Sequence, residues 1–264
     1  MINKLLSKFL IFLLFCSCSD EGNYVGMDYR IFKNTEAWEL AKAARDENIE
    51  KIKTELSKIP IDYKDSVYGH TVLMCAVLNN NMKSVKTLLE LGADPNLFSD
   101  TVCHSGENSV LMACEYDVIS IDILDELLKH GGNPNSHCLG KVKNNLGIYE
   151  KDSTSALGFA CGQSNSIKKV QLLVDYGADI NRIYFGNCPE ALYSALIFDM
   201  ETTLYLLEKG SVFNCNFESD PNKPEKDINW KLRRCLYPLD SDDYKNKMKV
   251  VEFLKSHGVD YFKS

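Results

Sequence analysis

The stretch LVDYGADIN (residues 173–181) decides the architecture, because related stretches recur along this chain of 264 residues. The other copies are LLELGADPN (88–96), LLKHGGNPN (127–135), LLEKGSVFN (206–214) and a degraded LKSHGVDYF (254–262). Each copy follows an apolar run with a glycine, the residue that most readily takes the left-handed conformation in which helices stop. Asp and Asn beyond the glycine favour a turn. This recurrence indicates a repeat architecture of helices and turns.

A second block precedes the glycine at a nearly constant distance. It reads TVLMCA from Thr71, SVLMAC from Ser109, SALGFA from Ser155 and EALYSA from Glu190, and these residues lie 21, 22, 22 and 20 positions before the glycine. The hydroxyls of the first three are predicted to cap a first helix. The small residues within each block let that helix pack closely on its neighbours. The leucine pairs of the later block are expected to fill the space between adjacent repeats.

Together the two blocks resemble the ankyrin repeat, a 33-residue unit that carries T-P-L-H-x-A and ends in G-A-D-x-N. The resemblance implies an all-α solenoid over residues 34–264, built of helix-turn-helix repeats with β-turn finger loops. We expect about six repeats with degraded terminal caps, the first being Ala37 to Tyr63. The family's histidine is replaced in four repeats, by Met74, Met112, Gly158 and Tyr193. Without the Thr–His hydrogen bonds, apolar contacts should dominate between repeats.

Nearly all the extra length of the longer repeats falls in the predicted finger loops. Ser155 lies 20 positions after Asn135, whereas Thr71 lies 8 positions after Tyr63. Insertions on one face of a solenoid often mark the binding face, although loops also tolerate insertions at little entropic cost. The candidate binding residues are Tyr68, Phe98, His104, Tyr149, Tyr184 and Phe185. Each aromatic residue has the alternative role of anchoring its finger to the repeat below.

The end of the chain is expected to form a cap after the polar loop of residues 220–227. The side chains expected to be buried there are Trp230, Leu236, Val250, Phe253 and Leu254. Those expected to face water are Lys247, Lys249, Glu252 and Lys255. A polar outer face is what a terminal repeat requires.

The first eighteen residues, MINKLLSKFLIFLLFCSC, have the layout of a secretory signal, in which a positive region with Lys4 and Lys8 precedes the apolar run FLIFLLF. The alternative is a membrane-spanning helix, which needs about 20 apolar residues. The segment FCSC resembles the lipobox of bacterial lipoproteins, with Cys18 as the lipidated residue. We therefore predict a signal peptide over residues 1–17 and a lipidated tether over residues 18–33. The protein would be a membrane-anchored lipoprotein of the cell envelope, periplasmic or surface-exposed.

The cysteines divide into helix and connector positions. Cys75, Cys114 and Cys161 fall within first helices and are interpreted as small core residues. Export would place the others in an oxidising compartment. Our leading pairing joins Cys103 and Cys138, which occupy successive long fingers, although connectivity does not follow from sequence.

The sequence shows no recognisable catalytic or metal-binding motif in addition to the repeats. The Cys103-His104 and His137-Cys138 pairs offer zinc-ligand atoms, but adjacent ligands suit one tetrahedral ion poorly. The sequence contains no Gly-rich phosphate loop, no H-E-x-x-H and no G-x-S-x-G. We therefore predict no catalytic residue, no metal site and no cofactor.

The net charge of −7 makes nucleic acid an unsuitable partner, because phosphate binding needs clustered Lys and Arg. The resemblance implies a non-catalytic module that binds a protein through its concave surface of finger loops and inner helices. The acidic charge favours a basic partner, and we expect a monomer. An inhibitor or protector that neutralises a toxic enzyme in the envelope is one role within this class. An envelope scaffold and a metal-dependent enzyme are the alternatives.

Overall fold

A computed structural model describes residues 26–101, 105–143, 149–151, 153–163, 167–183, 187–218 and 226–262. In these ranges, helices follow one another in pairs after a short 3-10 helix over Tyr29–Phe32. The helices are α1 (Trp38–Arg45), α2 (Ile49–Glu55), α3 (Val72–Leu78), α4 (Met82–Glu90), α5 (Ser109–Glu115), α6 (Ile121–Lys129), α7 (Ala156–Cys161), α8 (Ile167–Asp175), α9 (Glu190–Phe198), α10 (Met200–Glu208), α11 (Ile228–Arg234) and α12 (Asp242–Ser256). The predicted all-α repeat solenoid is confirmed.

The longest finger carries a small hairpin in addition to the helices. Strands β1 (Lys141–Lys143) and β2 (Tyr149–Lys151) pair antiparallel, with Val142 opposite Glu150. The hairpin lies within the insertion between Asn135 and Ser155, so the inserted length leaves the helix pairs unchanged.

The helices are stacked in two rows rather than gathered around a centre. First helices contact first helices in the order α1, α3, α5, α7, α9. Second helices do the same in the order α2, α4, α6, α8, α10, and α10 packs on α12. One buried cluster runs from Tyr29 to Leu206, and a second runs from Cys188 to Leu254. The core therefore follows the length of the stack, as expected when each repeat contacts only its neighbours.

Two of the three predicted helix caps are confirmed. The Thr71 hydroxyl accepts a hydrogen bond from Met74 N at 3.3 Å, and the Ser155 hydroxyl accepts one from Gly158 N at 3.0 Å. The prediction for Ser109 is wrong, because Asn108 takes that role and accepts from Leu111 N at 3.0 Å. An amide oxygen on the preceding residue reaches the same orphan N–H groups.

Hydrogen bonds also link the repeats, so the expectation of mainly apolar contacts is incomplete. Asn135 Nδ2 donates to Gly177 O at 3.1 Å, and Asn135 Oδ1 accepts from Asp179 N at 2.7 Å. Asn96 and Asn181 make the equivalent pair of bonds to the repeats that follow them. We call these three side chains the asparagine ladder.

Burial at the two ends of the described chain differs from what the sequence pattern predicts. Tyr29 and Phe32 are buried, so packing begins before the predicted tether boundary at residue 33. In the cap, Leu236 is 85% exposed, whereas Lys247 is buried and its Nζ donates to Cys235 O at 2.9 Å. A lysine can cap buried carbonyl groups, which the charge pattern of a helix does not reveal. None of the helices described is long and apolar enough to cross a bilayer.

Candidate protein-binding face

One face of the stack exposes apolar side chains on or directly after the first helices, and we call it the inner face. Its apolar members are Tyr116, Val118, Tyr193, Ile197 and Phe198, all of them exposed by more than a third. Tyr116 and Ile197 share one register, since each follows the first residue of its TVLMCA-type block by seven positions. Exposed apolar side chains that recur at one register of a repeat stack are candidates for an interaction surface.

The N-terminal segment covers the part of this face that belongs to α3. Gly26 O lies 2.9 Å from His70 Nδ1 and accepts from the Cys75 thiol at 3.6 Å. Asn79 Nδ2 donates to Met27 O at 2.6 Å. The exposed part of the inner face therefore begins at α5.

The fingers are tied to each other through the backbone. Asp100 N donates to Tyr68 O at 2.8 Å, and Leu139 N donates to Gly106 O at 3.1 Å. Glycine is required at residue 69, where φ is +67° and a Cβ would lie 2.8 Å from Asp100 N. These bonds hold the first three fingers at defined positions beside the inner face.

Of the six predicted finger residues, the structure describes three, and these have different environments. Tyr68 is half-buried and its ring lies 5.6 Å from the His70 ring. Phe98 is half-buried and packs on the core, which matches the anchoring alternative. Tyr149 is the first residue of β2. His104, Tyr184 and Phe185 lie outside the described residues, as does the proposed lipidation site Cys18.

A buried lysine packs against the end of α5, next to the inner face. Lys169 Nζ donates to Ala113 O at 2.8 Å and to Tyr116 O at 2.9 Å. Burial lowers the pKa of Lys169. These bonds satisfy carbonyl groups at the end of α5, where helices leave acceptors without intrahelical partners. The lysine thereby orders the turn that presents Tyr116 and Val118.

A second polar junction replaces the missing Thr–His bonds between α7 and α9. Glu190 Oε2 accepts from the Ser155 hydroxyl at 2.8 Å and from Arg182 Nη1 at 2.6 Å. Arg182 Nη2 also donates to Ser153 O at 2.9 Å. Gly158 leaves the space that the Glu190 carboxylate occupies, since a Cβ there would lie 2.3 Å from its Oε1. Glu190 therefore bonds the Ser155 cap rather than replacing a capping hydroxyl.

A disulfide that the sequence did not identify joins the connectors on either side of α9 and α10. Cys188 and Cys215 are bonded, with their Cα atoms 5.2 Å apart. The predicted Cys103–Cys138 pair remains a prediction, because Cys103 lies outside the described residues. Beside the disulfide lies a groove of about 870 Å³ that includes Phe213, Trp230 and Arg233.

The thiols in the first helices are core groups, as predicted. Cys75, Cys114 and Cys161 are fully buried. Burial raises the pKa of the Cys114 thiol to about 12, which keeps it protonated and unreactive at neutral pH. In the described ranges, no three His, Cys, Asp or Glu side chains are grouped so that they could hold a metal ion.

The sequence pattern did not predict the inner-face residues, because nearly all the extra length of the repeats lies in the fingers, which favoured the loops as the binding site. Their signal was the shared register of Tyr116 and Ile197, where a polar residue would be expected on an exposed helix position. No sequence signal identified the role of Lys169, because its partners are backbone carbonyl groups 53 and 56 residues away.

Comparison with known proteins agrees with the fold. The family model of the ankyrin repeat matches residues 68–100. The ankyrin repeat protein FPV014 of fowlpox virus (strain NVSL) is 30% identical over 123 residues, which cover 46% of this chain and 24% of the viral protein. A crystal structure of an ankyrin repeat domain from Acinetobacter baumannii AYE has 22% identity and a TM-score of 0.55. That match covers 83% of this chain and 97% of the bacterial domain.

Proposed function

Since this chain is an ankyrin-repeat protein, we propose that it binds a protein partner through the inner face from α5 to α11. The observation that carries this proposal is the apolar set Tyr116, Val118, Ile197 and Phe198, left exposed beside the stacked first helices. A stacked scaffold holds such side chains in place before binding, which reduces the entropy lost on association. Ankyrin repeats generally serve as interaction modules rather than enzymes.

The charge distribution supports a partner with a basic patch toward the N-terminal repeats. Residues 1–225 contain 31 Asp and Glu against 21 Lys and Arg. Opposite charge on a partner would accelerate its encounter with this part of the stack.

The proposed location is the cell envelope, with lipid on Cys18. This proposal is supported by the signal-like residues 1–18 and by the Cys188–Cys215 disulfide, since disulfides persist in oxidising compartments. In that location, a binder without catalytic chemistry would act as an inhibitor or protector against one partner, or as a scaffold for several. One stoichiometric partner in a pull-down favours the first role, and several partners favour the second.

The binding proposal is tested by matched substitutions in the full chain. Ile197→Asp places a carboxylate on the inner face, whereas Leu91→Asp places one at the end of α4, and the two parent side chains are 45% and 43% exposed. We expect the envelope partner recovered with the wild type to be lost with Ile197→Asp and retained with Leu91→Asp. Equal recovery with both variants would exclude the inner face as the binding surface.

The location is tested separately by membrane fractionation with acyl labelling. We expect the wild type to be labelled and membrane-associated, and the Cys18→Ala variant to lose both the label and the association. An unlabelled wild type would contradict the anchoring proposal without affecting the binding proposal.

A further inference from the structure

The end of the chain has the opposite charge from the rest. Residues 226–264 contain nine Lys and Arg against six Asp and Glu, although the whole chain carries a net charge of −7. Four of the nine cations, Lys226, Lys231, Arg233 and Arg234, lie on α11 or within two residues of its start. Helix α11, the first helix of the last repeat, therefore differs in charge from the acidic repeats before it.

All four of these cations lie over aromatic rings, and the Arg233 guanidinium is 5.7 Å from the centre of the Tyr261 ring. The other three, Lys226, Lys231 and Arg234, adjoin partly exposed aromatic side chains. Lys231 Nζ lies 4.1 Å from the centre of the Tyr193 ring. The Arg234 guanidinium lies 4.6 Å, and Lys226 Nζ 5.4 Å, from the Trp230 ring. Within the described part of the chain, none of the three forms an ion pair with a carboxylate. Cation–π contact orients such side chains while leaving their N–H groups able to donate to a ligand.

Apolar side chains adjoin these cations. The Cys235 thiol donates to Leu196 O at 3.1 Å, which brings the end of α11 against the end of α9. Leu236, 85% exposed, directly follows Cys235, and the exposed Ile197 and Phe198 directly follow Leu196, so these bonded residues bring the two exposed segments to the same end of the stack. We call the combined surface of Tyr193, Phe198, Trp230, Lys231, Arg234 and Leu236 the basic–aromatic end.

The basic–aromatic end is recessed at its border with the last fingers. Trp230 lines the groove of about 870 Å³ next to the Cys188–Cys215 disulfide. The ring of Tyr193 is stacked on the buried Phe217 of the last described finger, with 6.3 Å between ring centres. A recessed surface of this kind admits a side chain of a polypeptide, whereas a flat bilayer would leave it unfilled.

We propose that the basic–aromatic end binds an acidic segment of the protein partner, in which an aliphatic or aromatic side chain stands next to the carboxylates. The carboxylates would accept hydrogen bonds from Lys231 and Arg234, and the apolar side chain would cover Phe198 and Leu236. Charge-assisted bonds of this type are stronger than neutral ones. This inference rests on the proposed function and adds the chemistry of one part of the partner.

The probe for the test is a synthetic peptide of alternating Glu and Leu with one Tyr, and its counterpart has Lys in place of Glu. Binding to the full chain is measured by fluorescence anisotropy at low and at physiological salt. The test variant is Lys231→Glu with Arg234→Glu. The matched control is Lys249→Glu with Lys255→Glu, which makes the same charge change at exposed positions of α12.

We expect the wild type to bind the Glu peptide at least about tenfold more tightly than the Lys peptide, with affinity that falls as salt is raised. The test variant should lose this preference and the control should keep it. Circular dichroism melting of both variants verifies that they are folded. If the test variant is unfolded, the neutral pair Lys231→Gln with Arg234→Gln replaces it, with the same expectation.

Equal binding of the Glu peptide to the test variant and the control would overturn the inference. So would binding of the wild type to anionic phosphatidylglycerol vesicles, lost in the test variant, without binding of the Glu peptide. Loss of partner recovery with Ile197→Asp, together with unchanged recovery with the Lys231/Arg234 variant, would leave the proposed function intact and reject only this inference.

Discussion

The absence of a side chain at Gly158 makes room for a polar contact between two repeats. The Glu190 carboxylate enters the space beside Gly158 and bonds the Ser155 cap and Arg182. The arginine and glutamate side chains are both largely buried, with exposures of 21% and 8%. Breaking such a pair is costly because it leaves a charge without its partner.

Gly158→Ala is therefore expected to destabilise the protein. Its Cβ would lie 2.3 Å from Glu190 Oε1, so the carboxylate must move away from Ser155. We expect a loss of about 1–3 kcal/mol in the free energy of unfolding, measured by urea denaturation. Gly162→Ala is the control, because its nearest neighbour, Phe159 O, is 3.3 Å away. A loss as large for Gly162→Ala as for Gly158→Ala would contradict this account.

The buried thiol of Cys114 is expected to lower the free energy of unfolding at alkaline pH. Burial raises its pKa from 9.0 to about 12, so between these values the thiol ionises in the unfolded chain and stays protonated in the folded one. The unfolded state then binds fewer protons, and the free energy of unfolding falls as pH rises above 9, by about 1.4 kcal/mol per pH unit for one such group. Cys114→Ala should show a shallower fall in denaturation series between pH 8 and pH 10.5. Parallel curves would contradict the assignment.

At the scale of the elements, the asparagine ladder explains why the last residue of the repeated block is so often Asn. Each ladder side chain donates to the carbonyl of the glycine that ends the next repeat and accepts from an N–H two residues beyond that glycine. A residue with both a donor and an acceptor is needed for this pair of bonds. The ladder thus connects turns that local helix propensity leaves independent.

Asn135→Ala is expected to remove two of these bonds and to lower stability by about 1–3 kcal/mol. Asn214→Ala is a matched control at the same position of its repeat, because Asn214 is exposed and the structure gives it no ladder bond. Thermal and urea unfolding of the two variants provide the measurement. Equal losses would show that the asparagine stabilises its own turn rather than the contact between repeats.

At the scale of the whole molecule, stability is distributed along a stack. The second buried cluster joins the last repeats, and the Cys188–Cys215 disulfide spans 27 residues within that region. Because each repeat contacts mainly its neighbours, a local crosslink stabilises the repeats around it more than distant ones. The end of the stack that carries the basic–aromatic surface is the end that the disulfide restrains.

Cys188→Ser with Cys215→Ser is expected to lower stability by about 3.5 kcal/mol, from the entropy of a loop of this length. Hydrogen exchange should accelerate in residues 187–218 and 226–262 while remaining slow in α1 to α6. Reduction of the wild type should reproduce this pattern. Uniform acceleration along the chain would show that the stack unfolds as one cooperative unit instead.

The repeat architecture follows from local patterns in the amino-acid sequence. Helix stops at glycine, hydroxyl caps and apolar pairs are local, and their near-constant spacing predicted the helix pairs and the solenoid. The burial of Cys75, Cys114 and Cys161 followed from the same spacing. Patterns within one repeat predict the fold of a solenoid well, since each unit is short and contacts are mostly between adjacent units.

Which surfaces remain exposed, and which polar groups meet, depends instead on how the repeats pack in three dimensions. The N-terminal segment covers α3, Lys169 reaches carbonyl groups more than fifty residues away, and Leu236 rather than Lys247 faces outward. Each of these outcomes depends on how neighbouring repeats are oriented in space. Sequence spacing measures distance along the chain, whereas burial and pairing depend on distances across it.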